Sequence, residues 1–120
     1  MHPLAIALIV LVALEHAWFL VLEMVLWQTP LGLRTFGNTP ERARDSAVLA
    51  ANQGLYNGFL AAGLVFAVLY PDAVAAKAIA TFFLACVIAA GAYGGWSVSR
   101  RILMVQALPA AIALAVLWAT

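Results

Sequence analysis

The sequence predicts an all-α fold, an integral membrane four-helix bundle in which the helices run up and down. The composition is 67% hydrophobic and only 9% charged, whereas charged residues make up about 25% of an ordinary soluble domain. The apolar residues fall into four long runs separated by polar or turn-forming segments. Each run is close to the length of about 20 helical residues that crosses a hydrocarbon core. We therefore expect one transmembrane domain over residues 1–120.

The first apolar run predicts a spanning helix over residues 3–27. A cleaved signal peptide is disfavoured, because Met1-His2-Pro3 carries no Lys or Arg and Glu15 and His16 interrupt the apolar stretch. Residues 28–45 are rich in Pro, Gly and charge, which predicts a loop. Three further helices follow over residues 46–70, 73–95 and 102–118.

The arginines predict how the bundle is oriented. They lie in the first and third connections, whereas the opposite side has only Lys77; they are Arg34, Arg42, Arg44, Arg100 and Arg101. Because cytoplasmic loops are enriched in Lys and Arg, we expect these loops in the cytoplasm and both termini outside, in a bacterial inner membrane. The lipid bilayer is then the first partner, and a net charge of +1 predicts no nucleic-acid partner.

The first helix contains ionisable residues where a spanning helix should have none. Such a residue costs roughly 2.5 to 3.5 kcal/mol on insertion scales unless a protein or water partner faces it. His16 and Glu23 are seven residues apart and share one face, with Glu15 at its edge. The axial rise between His16 and Glu23 is about 10.5 Å, which disfavours a shared metal site. We predict that Glu23 and His16 are the catalytic or central binding residues.

The second long helix has a polar arc and an arc of small residues. Gly54 and Gly58 belong to a small-residue repeat that allows close helix packing. The polar arc consists of Asn52, Gln53, Tyr56 and Asn57. Counting 1.5 Å per residue from the helix ends places Glu23 level with Asn52, Gln53 and Gln106, with Tyr93 in the same layer.

These positions predict an intramembrane polar pocket that opens to the cytoplasm, with the first loop as a lid. The predicted ligand-binding residues are Glu15, Asn52, Gln53, Tyr56, Asn57, Tyr93, Gln106 and Arg34. We expect a small lipophilic ligand, and the sequence identifies no cofactor. A neighbouring copy would close the polar arc against lipid, which predicts a homo-oligomer.

Several strings in the sequence are characteristic of one family. They are Leu14-Glu15-His16, Glu23-Met24, Trp27, Thr29-Pro30, Arg34, Phe36-Gly37 and Asn52-Gln53-Gly54-Leu55-Tyr56-Asn57-Gly58. On these residues the chain resembles the bacterial family known as domain of unknown function 1304 (DUF1304) over nearly its whole length. The resemblance implies a small four-helix membrane protein and supplies no mechanism.

A second resemblance concerns architecture. Glu41-Arg42, Arg44, Asn52 and Phe59-Leu60 are similar to the second helix of the membrane-associated eicosanoid and glutathione metabolism proteins. That likeness implies a trimer of four-helix subunits. The glutamate which that family places just after the helix asparagine is absent here, where Leu55 or Tyr56 stands, so glutathione binding is not predicted.

Two other functions remain open beside an enzyme or binding protein for a lipophilic molecule. Glu15, His16 and Glu23 could form the proton or ion path of a transporter or channel subunit, although the apolar outer half of the second helix offers nothing to continue it. A ligand-free assembly subunit would use the small-residue stripes and would leave the buried acids unexplained. Cys86 lies in an apolar run and is expected to be inert.

Overall fold

The computed structural model describes residues 1–120 and contains only helices, without strands. Its helices are α1 (Pro3–Met24), α2 (Pro30–Phe36), α3 (Pro40–Leu69), α4 (Ala73–Ser97) and α5 (Arg100–Ala119). All except α2 are long and apolar enough to cross a membrane. The all-helical fold class and the four candidate spans agree with the sequence prediction.

The predicted loop over residues 28–45 is instead largely helical, and the helix predicted to begin at residue 46 begins at Pro40. Local capping explains the difference. The Thr29 side chain accepts a hydrogen bond from the Gly32 N–H, Pro30 starts α2, and Gly37 ends it in the left-handed conformation with φ 66°. Thr39 accepts a hydrogen bond from the Arg42 N–H at the start of α3.

Residue contacts divide the chain into two compact units. The central unit is Leu14–Ala61, and the terminal unit combines Met1–Ala13 with Ala62–Thr120. Each unit is described by itself below.

In the central unit, the end of α1 runs antiparallel to the start of α3. A Cβ added at Gly58 would lie 2.6 Å from Leu20 Cδ1, and one added at Gly54 would lie 3.1 Å from Glu23 Cβ. The prediction that Gly54 and Gly58 contact another helix at close range is confirmed. Trp27 closes this end, where its indole N–H donates to the Ala43 carbonyl at 3.0 Å.

In the terminal unit, α4 and α5 pack antiparallel through glycine contacts. A Cβ at Gly91 would lie 2.5 Å from the Ala107 backbone nitrogen, and one at Gly94 would lie 2.7 Å from Ile102 Cγ2. The segment Leu103–Ala107 of α5 is a π-helical turn. Pro109 follows it, and a proline lacks an N–H and crowds the carbonyl four residues earlier. A wider turn just before Pro109 relieves that crowding.

Candidate functional site

The polar residues of α1 fall within the central unit, and two of them are adjacent. His16 is fully buried, and its ring meets Phe19 edge to face with centroids 5.2 Å apart. The Nδ1 atom of His16 lies 3.9 Å from Oε1 of Glu15. That distance allows an ion pair when the imidazole is protonated, but it is too long for a direct hydrogen bond.

Glu15 is partly exposed, and one of its carboxylate oxygens lacks a hydrogen-bond donor. Its side chain retains 24% of its accessible surface. Its Oε1 atom is nevertheless buried and accepts no hydrogen bond. Because most buried polar atoms in proteins have a hydrogen-bond partner, an exception in a candidate membrane span calls for an explanation. This Oε1 atom is the one that lies 3.9 Å from Nδ1 of His16, so a small movement of either side chain would bring the two within hydrogen-bonding distance.

Glu23 is held by a neighbour on α3. The amide nitrogen of Asn57 donates a hydrogen bond to Glu23 Oε1 at 2.5 Å, and both residues are buried, with 9% and 5% of their surfaces exposed. Gly54 lies one turn from Asn57 and brings the α3 backbone close to Glu23. The close approach of the two helices therefore places the amide on the carboxyl group.

The partner of Glu23 differs from the sequence prediction. Asn52 and Gln53 were expected beside Glu23, but their side chains are exposed and Asn57 is its donor. The buried face of α3 follows the spacing of Ala50, Gly54 and Asn57, so Asn57 belongs with the packing stripe. The level was correct, because Gly54 next to Gln53 contacts Glu23, but Asn52 and Gln53 lie on the face of α3 that points away from α1.

The other predicted site residues lie apart from this pair. In the central unit, Tyr56 is 57% exposed and Arg34 on α2 is exposed. Tyr93 and Gln106 belong to the terminal unit, where Tyr93 is exposed and Gln106 is half-buried. The contacts described here therefore join the predicted residues as two pairs, Glu15 with His16 and Glu23 with Asn57.

Two open surface cavities lie in the terminal unit. A cavity of about 500 Å³ is lined by residues that include Met1, Lys77 and Trp118, and a second of about 340 Å³ has an entirely apolar lining. None of the predicted site residues lines either cavity. No group of three or more His, Cys, Asp or Glu side chains is arranged to hold a metal ion.

Two features that the sequence analysis did not assign accompany these sites. Trp18 is 47% exposed and lies three residues after Glu15, which places it on the same side of α1. The sequence signal for this feature is the three-residue spacing between Glu15 and Trp18, which places an aromatic ring and an acid on one side of a helix. In the terminal unit, the Lys77 ammonium lies 4.1 Å from the centroid of the Trp118 ring, and the Trp118 indole donates to Thr81 at 3.0 Å.

Comparison with known proteins identifies the family. The model of the family described as "Protein of unknown function (DUF1304)" matches residues 10–118. The chain belongs to the DUF1304 family. This DUF1304 chain is also 32% identical over 116 residues to "Uncharacterized protein YpaA" of Lactococcus lactis subsp. lactis (strain IL1403). The alignment covers 95% of this chain and 96% of that relative.

The resemblance to DUF1304 that the sequence predicted is thereby confirmed. No solved structure matches the chain significantly. The likeness to the membrane-associated eicosanoid and glutathione metabolism proteins stays a prediction for this DUF1304 protein.

Proposed function

We propose that this DUF1304 protein is a multi-pass protein of the bacterial inner membrane that binds a small lipophilic molecule through the acidic residues of α1. The observation that carries the proposal is an acid in a candidate span, Glu15, whose side chain keeps 24% of its surface exposed while its Oε1 atom accepts no hydrogen bond. Structural packing alone gives no reason to retain such an acid, because an uncharged side chain would avoid the cost of burying it.

The surroundings of Glu15 favour a ligand with an amine. Glu15 is partly exposed, and Leu14 and Trp18 beside it on α1 are exposed to 63% and 47%. A lipophilic amine could place its alkyl part along the apolar surface and its ammonium on the Glu15 carboxylate. The face of the Trp18 ring attracts a cation as well. The proposed ligand is therefore a small apolar molecule that carries one basic nitrogen.

Glu23 and Asn57 complete the proposed site from the buried side. Their hydrogen bond fixes α1 against α3, which holds the segment that carries Glu15 and His16. His16 lies near enough to the Glu15 carboxyl to compete with or exchange a proton with a bound amine. In this proposal Glu15 contacts the ligand, while Glu23 and Asn57 are positioning residues.

A binding assay in lipid nanodiscs tests the proposal. The probe is a long-chain alkylamine with a fluorescent label, and its N-acetylated analogue is the uncharged control. We expect saturable binding of the amine alone and a roughly ten- to hundredfold loss of affinity in Glu15→Gln, since a charge-assisted hydrogen bond contributes about 1.5–3 kcal/mol. Glu41→Gln is the matched control, because Glu41 is exposed in the first turn of α3.

The same assay can refute the proposal. Equal binding of the amine and its acetylated analogue would show partition into lipid without a site. An unchanged affinity of Glu15→Gln for the alkylamine would show that Glu15 does not contact the ligand.

The short distance between His16 and Glu15 favours proton transfer as a second candidate function. The 3.9 Å between Nδ1 and Oε1 would let a proton pass after a small rearrangement. Proteoliposomes that contain a pH-sensitive dye distinguish the two functions. If the protein is a transporter, the wild type should dissipate an imposed pH gradient and Glu15→Gln should not. If it is a binding protein, the gradient should persist with both the wild type and Glu15→Gln.

A further inference from the structure

α3 carries two helical seams, and one of them packs inside the central unit. Ala50, Gly54, Asn57 and Ala61 recur at spacings of four, three and four, and all are buried. Gly54 and Asn57 contact α1 directly. Alternating spacings of three and four are those of a helix that packs along its length against another helix.

The second seam has the same spacing and is exposed. Leu49, Asn52, Tyr56 and Phe59 recur at spacings of three, four and three, and lie about 140° around the helix from the buried seam at 100° per residue. Leu49 is 73% exposed, Tyr56 and Phe59 are each 57% exposed, and Asn52 is also exposed. A second set of knobs therefore faces away from the chain's own packing.

The exposed seam is polar at positions that lie within a candidate span. Asn52 and Tyr56 belong to the segment Pro40–Leu69, which is long and apolar enough to cross a membrane. Gln53, next to them, is exposed as well. Hydrocarbon offers no hydrogen-bond partner to an amide or a phenol. Inside a bilayer, these side chains would be satisfied by a partner from another protein molecule.

We infer that the seam of Leu49, Asn52, Tyr56 and Phe59 is the interface through which a second copy of this chain binds. Amide and phenol groups each carry a donor and an acceptor, so the seam is complementary to itself. Two copies inserted in the same direction and related by a two-fold axis normal to the membrane have parallel α3 helices, and an axis that runs along this seam places Asn52 opposite Asn52. A polar Asn in such a seam fixes register and subunit number. The inference rests on the membrane insertion in the proposed function and not on its ligand.

Cysteine cross-linking in native vesicles tests the geometry. In a Cys86→Ala background, Asn52→Cys places thiols of two copies next to each other, and oxidation should give a covalent dimer. Leu14→Cys is the matched control, because Leu14 is 63% exposed in the same unit but lies on α1. A dimer from Asn52→Cys and not from Leu14→Cys supports the interface. Equal cross-linking, or none at Asn52, overturns it.

A second measurement follows the association of the copies without cross-linking. Fluorescence energy transfer between labelled copies, followed as protein is diluted in liposomes, reports association. Asn52→Leu with Tyr56→Phe removes the interchain hydrogen bonds from exposed positions, so the fold of each chain should persist. We expect roughly tenfold weaker association, equal to about 1.4 kcal/mol. A wild-type protein that remains monomeric at every dilution, or a double variant that associates as well as wild type, contradicts the inference.

Discussion

The side-chain amide of Asn57 on α3 donates a 2.5 Å hydrogen bond to the carboxyl group of Glu23 on α1, and both groups are buried. Two helices remote in sequence are thus joined by a polar contact inside candidate membrane spans. The stability of the central unit should depend strongly on the Asn57 donor, because a buried carboxyl group that loses its hydrogen-bond donor keeps the full cost of desolvation.

Replacement of Asn57 by Leu should therefore destabilise the central unit. The change keeps a similar volume and removes the donor, and we expect a loss of about 1.5–3 kcal/mol of unfolding free energy. Glu23→Gln is the control that retains a hydrogen-bonding carbonyl oxygen, so we expect a smaller loss than in Asn57→Leu. Thermal unfolding in detergent measures both.

The double variant separates the pair from its surroundings. Replacement of both Glu23 and Asn57 by Leu removes the orphaned carboxyl group, and it should recover part of the loss with a coupling of about 0.5–3 kcal/mol. Strictly additive losses would show that the hydrogen bond contributes nothing to stability.

The two glycines of α3 should differ in their tolerance of a methyl group. A Cβ at Gly54 would meet the Leu20 carbonyl oxygen at 3.2 Å and Glu23 Cβ at 3.1 Å, whereas one at Gly58 meets only the end of the Leu20 side chain. Gly54→Ala should cost about 1–3 kcal/mol through overpacking. Gly58→Ala should be nearly neutral, because a flexible side chain can move. Melting temperatures of the two variants compare them directly, and equal values would contradict this ranking.

Composition and apolar run length predicted the four long helices, because apolar runs of about 20 residues are typical of helices long enough to cross a membrane. The same reasoning missed α2, because residues such as Thr29, Pro30 and Gly37 are as typical of the two ends of a short helix as they are of a loop. Glu23 was singled out by the cost of burying an acid. Its partner is Asn57 and not Asn52 or Gln53, because the face of α3 that packs on α1 carries Gly54 and Asn57, and the sequence predicted the depth of the amides but not which of them shares that face.

Trp27 should contribute more to stability than a residue that only settles at a membrane interface. Its indole N–H donates to the Ala43 carbonyl at 3.0 Å and to the Ser46 hydroxyl at 3.2 Å. Trp27→Phe keeps most of the apolar contact and loses the donor, so we expect a cost of about 1–3 kcal/mol. Ser46→Ala removes only one of two acceptors and should cost less. Chemical denaturation in mild detergent measures the unfolding free energy of both variants. Equal losses in Trp27→Phe and Ser46→Ala would contradict the role given to the Trp27 indole as a donor to both acceptors.

The distribution of cations predicts that Thr120, at the end of α5, lies outside the cytoplasm. Arg34 is exposed on α2, and Arg100 and Arg101 are exposed at the start of α5. The positive-inside rule predicts that these arginines lie on the cytoplasmic side. Alkaline phosphatase fused after Thr120 should be active, and green fluorescent protein fused there should be dark. The reverse pattern would invert the proposed orientation.

The last prediction concerns the contact between α4 and the π-helical turn of α5. A Cβ at Gly91 would lie 2.5 Å from the Ala107 backbone nitrogen and 2.9 Å from its Cα, whereas one at Gly94 would first meet the Ile102 side chain at 2.7 Å. Backbone atoms cannot rotate away, so Gly91→Ala must push α5 outward or distort the turn.

We expect Gly91→Ala to lower the unfolding free energy by about 1–3 kcal/mol through overpacking. Gly94→Ala is the matched control, since a rotation of Ile102 relieves its contact and the gain of about 1 kcal/mol in helix propensity offsets what remains. Thermal unfolding of the two variants, read by circular dichroism, decides the matter. Equal stability of both variants would mean that the backbone of the π-helical turn yields as easily as a side chain, and that Gly91 does not fix its position.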